Sequence, residues 1–184
     1  MRGDGGAWGA TLAAAGFEGK VGQALLVPRP KAPLLVAVGV GRTGDVTAAV
    51  LRDAAAAFAR TAGRATHLAT SLADIGNVAP ALAAQAVVEG IVLARYRYDA
   101  LKKEGTGVAV TDVTLVVAAD RAKAASAGAE RGRVLAAVGA LARDLANAPP
   151  KHLSAERLAE VAERIASKAG LGIEVFDRAA IARL

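Results

Sequence analysis

Three glycines, Gly39, Gly41 and Gly44, stand at the spacing G-x-G-x-x-G in "VAVGVGRTGDV". An apolar run precedes them and a helical pattern follows. In that setting the spacing can cradle a pyrophosphate: the glycines turn the chain tightly and a helix N-terminus faces the anion. The cradle also needs an acidic residue about 20 residues on, after the next strand, for the ribose. At that distance the chain reads Ala59, Arg60, Thr61, still within the helical pattern, and Asp74 lies too far along. A glycine-eased strand-to-helix turn therefore competes with the nucleotide reading and is favoured by the sequence.

Few other residues could do chemistry. His67 and His152 are the only histidines. His67 falls in an apolar run, as a hydrogen-bonded core or edge residue, and His152 follows a Pro-Pro pair, as a loop residue. His67 has no histidine or carboxylate at i+3 or i+4; Glu156 stands at i+4 from His152, but the Ser154 cap between them puts the histidine ahead of the helix, so no helical metal pattern forms. Glu89 sits among apolar neighbours and calls for an ion pair, with Arg95 or another cation. There is no G-x-S-x-G and no cysteine, which removes the nucleophile elbow, thiolate metal sites and disulfides. The residues alone display no catalytic, cofactor-binding or metal-binding constellation.

The elements that would position these residues alternate in type. Apolar runs predict strands over 23–27, 33–40, 65–72, 110–118 and 172–177. Helices are predicted over 45–63, capped by Asp45 and stopped by Gly63, and over 79–99, opened by Pro80. A long Ala-rich helix follows over 122–146. A further helix runs from the Ser154 cap to Gly170, and a last one begins at 178. The fold class is α/β, with helices flanking a largely parallel or mixed sheet. Pro149 and Pro150 break the chain between a compact unit, 1–147, and a linker with the first elements of a second domain, 148–184.

Composition narrows the partners. Hydrophobic residues reach 54% but aromatics only 3%, so the core is built from Ala, Val and Leu. The net charge of +6 raises the prospect of an acidic partner. The cations are dispersed in pairs without interleaved aromatics, which argues against nucleic acid. No bilayer-length apolar run and no signal-peptide pattern is present. A cytoplasmic location is expected, without membrane contact.

One string is more specific than any of this. Arg143-Asp144-Leu145-Ala146-Asn147-Ala148-Pro149-Pro150, followed by His152-Leu153, resembles the interdomain segment of leucyl aminopeptidases of the M17 metallopeptidase family. Residues 16–28, 32–41, 87–102 and 170–184 resemble further stretches of that family in the same order. The resemblance implies a macro-like N-terminal domain followed by the start of a catalytic domain. It makes the turn at Gly39 and Gly41 a structural one. It also implies a whole protein that removes N-terminal residues, leucine preferred, from peptides. That hydrolysis uses two divalent ions, zinc or manganese, in a homohexamer. The family's metal ligands, among them those of an "NTDAEGR" string, have no counterpart in this sequence, so no catalytic or metal residue is carried over. This chain by itself is expected to be inactive and to hold no metal ion. Two alternatives stay open at this point: a stand-alone macro-like module binding nucleotide or ADP-ribose, and a DNA-binding or regulatory domain.

Overall fold

The computed structural model describes residues 5–27, 29, 32–105 and 107–183. It divides into two units, Met1–Leu141 and Ala142–Leu184. The first unit opens with helix α1 (Gly5–Ala14), where the sequence pattern had given no element, and continues through β1 (Ala24–Val27) and β2 (Leu35–Val38). Helix α2 (Ala48–Thr61), β3 (His67–Thr70), α3 (Pro80–Ala94) and β4 (Asp112–Leu115) follow. Helix α4 (Ala122–Asn147) carries the chain into the second unit, which contains α5 (Ala155–Ala169) and α6 (Arg178–Ile181). The class is mixed α/β, as expected, with helices flanking short strands. β1 keeps all but the first residue of its predicted run, and β2, β3 and β4 keep only the central part of theirs.

Strand directions are mixed and the strands fall into two pairs. β1 and β2 run antiparallel, with Leu25 opposite Ala37 and Val27 opposite Leu35. β3 and β4 run parallel, with His67 opposite Asp112 and Thr70 opposite Leu115. No pairing joins β2 to β3 among the described residues.

The core lies between α2 and α3 and against the inner faces of the strands. Leu51, Val87 and Ile91 are its largest fully buried side chains. Around them, Ala54, Ala55, Ala59, Ala83, Ala84 and Ala86 are all buried. The Ala-rich composition thus has a structural consequence: thin side chains let the helix axes approach closely. α4 uses the same device on a second face. Its buried residues Ala125, Gly128, Gly132 and Ala136 form one stripe. A Cβ at Gly128 would overlap the Ala81 carbonyl oxygen, and one at Gly132 would lie 2.7 Å from the Gln85 oxygen. The backbones of α3 and α4 are therefore nearly in contact.

Helix ends follow local chemistry, with two corrections. α2 is capped by Thr47, whose Oγ1 accepts from the Val50 N–H at 3.3 Å, and not by Asp45, which lies in a single 3-10 turn over Thr43–Asp45. Thr47 lies immediately before the first regular turn, in extended backbone, as an N-cap must. α3 starts at Pro80, as predicted, but stops at Ala94, five residues short of its predicted end. There the Arg95 guanidinium turns inward and donates to the carbonyls of Ala59 at 3.0 Å and Val108 at 2.7 Å. In the second unit Ser154 caps α5, and Gly170 ends it in the left-handed region at φ +67°. The run predicted as a strand over 172–177 forms no strand: it has no regular secondary structure and enters no ladder among the described residues.

Candidate functional site

The glycine turn is the first place to look, and its amides are already committed. The Gly39 N–H donates to the Gln23 carbonyl at 2.8 Å, and the Gly41 N–H to the Gly19 carbonyl at 2.9 Å. A phosphate cradle needs such amides aimed at the anion. Here they hold the loop that precedes β1. That loop is stapled by Gln23, whose Oε1 accepts from the Glu18 N–H at 2.8 Å and whose Nε2 donates to the Gly16 carbonyl at 2.8 Å. A Cβ at Gly39 would overlap the Lys20 carbonyl, and Gly41 sits at φ +70°. Gly44 meets neither demand: space around it is open and its φ is ordinary. Two of the three glycines are thus required by packing, and the third completes the spacing without a structural role.

Glu89 is buried in α3, and its ion-pair partner is Arg52 of α2, not Arg95. Arg52 Nε and Nη2 lie 2.8 and 2.7 Å from Oε2, and Gln85 Nε2 donates to Oε1 at 2.8 Å. Both carboxylate oxygens are satisfied, which is what makes a buried charge tolerable. The group ties two helices together. Spacing along the sequence could not single out Arg52, because its proximity to Glu89 exists only once α2 lies on α3.

His67 lies at the start of β3, exposed, so that of the core and edge placements the sequence left open it takes the edge one. Its Nδ1 is 2.8 Å from Thr66 Oγ1 and its Nε2 2.9 Å from Asp112 Oδ2. Thr111 Oγ1 donates to the same carboxylate oxygen at 2.8 Å. The hydroxyl–imidazole–carboxylate order has the distances of a nucleophilic triad. Its surroundings do not: the histidine side chain is 75% exposed and the aspartate 61%. Water at both groups removes the desolvation that makes such an array reactive. The cluster instead pins the first residue pair of the β3–β4 ladder.

Beside His67 opens a cleft of about 380 Å³, bounded by β2 on one side and β3 on the other. Leu34, Val36, Val38, Phe58 and Leu68 contribute apolar side chains to its lining, beside the polar His67, Thr70 and Ser71. His152 lies exposed in the turn after Pro149, its N–H donating to the Pro149 carbonyl at 2.8 Å. Among the described residues no three His, Asp or Glu side chains gather as a metal site, and no helix is long and apolar enough to cross a membrane. Among the described residues, the groups with displaced pKa values lie on exposed helix surfaces, and none of them lines the cleft. Glu130 is held below the ordinary carboxylate range by a hydrogen bond from Arg133, which is raised in turn. Glu156 is lowered first by the Ser154 hydroxyl and then by its own backbone N–H.

Comparison with known proteins identifies the family. Residues 5–105 match the family described as "Cytosol aminopeptidase family, N-terminal domain". The chain belongs to the cytosol aminopeptidase family. It is 34% identical over 170 residues to a probable cytosol aminopeptidase of Corynebacterium diphtheriae, covering 90% of this chain and 32% of that protein. A probable cytosol aminopeptidase of Streptomyces avermitilis is 34% identical over 189 residues, covering 94% of this chain and 36% of its own length. Among solved structures, the bottromycin maturation enzyme BotP in complex with Mn superposes with a TM-score of 0.80 at 33% identity. That match covers 95% of this chain and 36% of BotP. The chain therefore spans about a third of the length of these family members. The M17 resemblance read from the Arg143–Leu153 string and its companion stretches agrees with this membership.

Proposed function

We propose that this chain is the N-terminal, non-catalytic domain of a cytosol aminopeptidase, with the linker and first elements of the catalytic domain from residue 148 onward. The observation that carries the reading is the family match over 5–105, extended by relatives that align with nine-tenths of the chain. The whole protein, in this reading, removes N-terminal residues from peptides in the cytoplasm, leucine preferred, as a homohexamer. Two divalent ions, zinc or manganese, polarise the scissile carbonyl and activate the attacking water in such hydrolysis. The residues described here do not fit that pair of ions, since no cluster of ligating side chains forms. The reading therefore assigns the ligands to other parts of the whole protein and routes no step through this chain. What this chain supplies is a rigid α/β platform whose glycines and buried Glu89 serve packing.

The nucleotide-module alternative is disfavoured by the amides of Gly39 and Gly41, which already donate to backbone carbonyls. The test is hydrolysis of leucine amide. The purified chain is expected to give no metal-dependent release with manganese or zinc, while the whole protein gives release that chelation abolishes. Chelator-sensitive turnover by the 184-residue chain, or a whole protein inactive with both metals, would overturn the proposal.

A further inference from the structure

Along the sequence the cations stand in separated pairs, and the fold gathers three of those pairs at one end of the first unit. Arg95, the C-cap of α3, does the gathering. Its guanidinium donates to the carbonyls of Ala59 near the end of α2, Ala65 ahead of β3 and Val108 ahead of β4, at 3.0, 3.5 and 2.7 Å. Arg60 lies in the last turn of α2 and Arg64 in the turn after it. Arg97 lies across Gly107, where a Cβ would stand 2.6 Å from its Cδ, and so beside Val108. Lys102 and Lys103 follow in the same loop, with Lys102 held by Asp99 at 2.7 Å. Segments 59–65 and 95–108 thus carry six cations and two carboxylates, Asp99 and Glu104. That excess of four is most of the chain's net charge of +6. Helix C-termini attract cations for a purely structural reason, and Arg95 meets that need. Arg60, Arg64, Arg97 and Lys103 are exposed and enter no ion pair among the described residues.

We propose that this end of the first unit is a docking surface for an acidic protein segment that carries an apolar side chain among its carboxylates. Three observations specify the occupant. The exposed, unpaired guanidinium groups of Arg60, Arg64 and Arg97 offer the planar fork that pairs with a carboxylate through two hydrogen bonds. Leu101 stands 53% exposed directly before Lys102 and Lys103, and an apolar anchor inside a polar rim is the anatomy of a protein–protein contact. Asp99 and Glu104 interrupt the row of cations. A nucleic-acid backbone presents evenly spaced phosphates, which these two carboxylates repel and which leave Leu101 without a partner. An acidic peptide can space its charges to avoid the carboxylates and place an apolar side chain on Leu101. Exposed ion pairs are individually weak, so the surface suits a reversible, salt-sensitive contact. The proposal rests on the charge distribution of this chain and not on the peptidase activity, so either can fail alone.

The test titrates a fluorescein-labelled peptide, Gly-Asp-Glu-Leu-Glu-Asp-Gly, with the 184-residue chain and reads fluorescence anisotropy at low salt. Binding is expected, weakened about tenfold or more at roughly 0.5 M salt, where charges are screened beyond about 4 Å. Arg64→Gln combined with Arg97→Gln removes two exposed pairs and should weaken binding about tenfold. Lys123→Gln combined with Arg131→Gln takes the same charge from exposed positions of α4 and should change binding by less than about twofold. The peptide with glutamine at every acidic position should not bind, and alanine in place of its leucine should weaken binding about threefold or more. If the Arg64, Arg97 double variant does not fold, Lys103→Gln in the exposed loop replaces it, with a loss of about threefold expected. The proposal is overturned if the acidic peptide shows no salt-sensitive binding, if the two double variants lose affinity equally, or if the alanine peptide binds as tightly as the leucine one. It is likewise overturned if an oligothymidylate of matched charge binds more tightly than the peptide, because the surface is then one for nucleic acid.

Discussion

Replacing Gly128 by alanine places a methyl group into the contact between α4 and α3. The new carbon would overlap the Ala81 carbonyl oxygen and lie 2.6 and 2.7 Å from the Ala81 carbonyl carbon and Cα. Carbon atoms pack at about 3.5–4.0 Å, and the obstacle is helix backbone, which cannot swing aside. α4 must withdraw by about 1 Å, pulling Ala125 and Ala136, both buried on the same stripe, out of contact. Overpacking of this kind costs about 1–3 kcal/mol. Alanine recovers up to about 1 kcal/mol through its better helix propensity. The net loss is about 1–2 kcal/mol, a fall in Tm of roughly 2–8 °C for a chain of this size. Gly139→Ala on the same helix is the control. Its Cβ would meet Leu93 Cδ2 at 3.4 Å, an ordinary contact, so only the propensity gain remains, and Tm should rise by roughly 2–4 °C. Thermal melts followed by circular dichroism read both. Equal shifts for the two variants, or a Gly128→Ala chain as stable as the parent, would refute the close-packing argument.

Three further outcomes are expected. Arg52→Met leaves the buried Glu89 carboxylate with Gln85 as its remaining partner; the loss in urea denaturation should be about 1–3 kcal/mol, since the arginine is partly exposed, and Glu89→Gln in that background should restore part of it. Ser154→Ala removes the cap of α5 and should lower its stability by about 1 kcal/mol. The same change removes the hydroxyl that chiefly depresses Glu156, so carboxyl-carbon NMR should find that group titrating at higher pH. The sign follows from the depression: the Glu156 contribution is present above the ordinary carboxylate range and is lost as pH falls through the lowered value, so acidification should erode α5 helicity in the parent more than in the variant. Finally, Gly39→Ala should lower Tm measurably while Gly44→Ala leaves it within about 1 °C, and calorimetry should find no micromolar ADP-ribose affinity in the parent; tight binding abolished by Gly41→Val would restore the nucleotide reading.

What the sequence by itself determined is local or family-wide. Pro80 starts α3, Ser154 and Gly170 bound α5, and the α/β alternation follows from runs of apolar residues, because these features depend on groups within a turn or two of each other. The Arg143–Leu153 string indicated the family for a related reason: it is contiguous and survives without knowledge of the fold. What only the tertiary structure decided depends on approach between distant segments. Asp45 and Thr47 are both acceptable caps by type, and the 3-10 turn between the glycines and α2 selected Thr47. Gly39 is needed because the Gly19–Lys20 backbone lies against it, a neighbour 20 residues away that the G-x-G-x-x-G spacing does not contain. Arg52 was indistinguishable from other cations until α2 packed on α3. The apolar run over 172–177 has strand composition, but a strand exists only when a second edge accepts its hydrogen bonds, and composition cannot supply that edge.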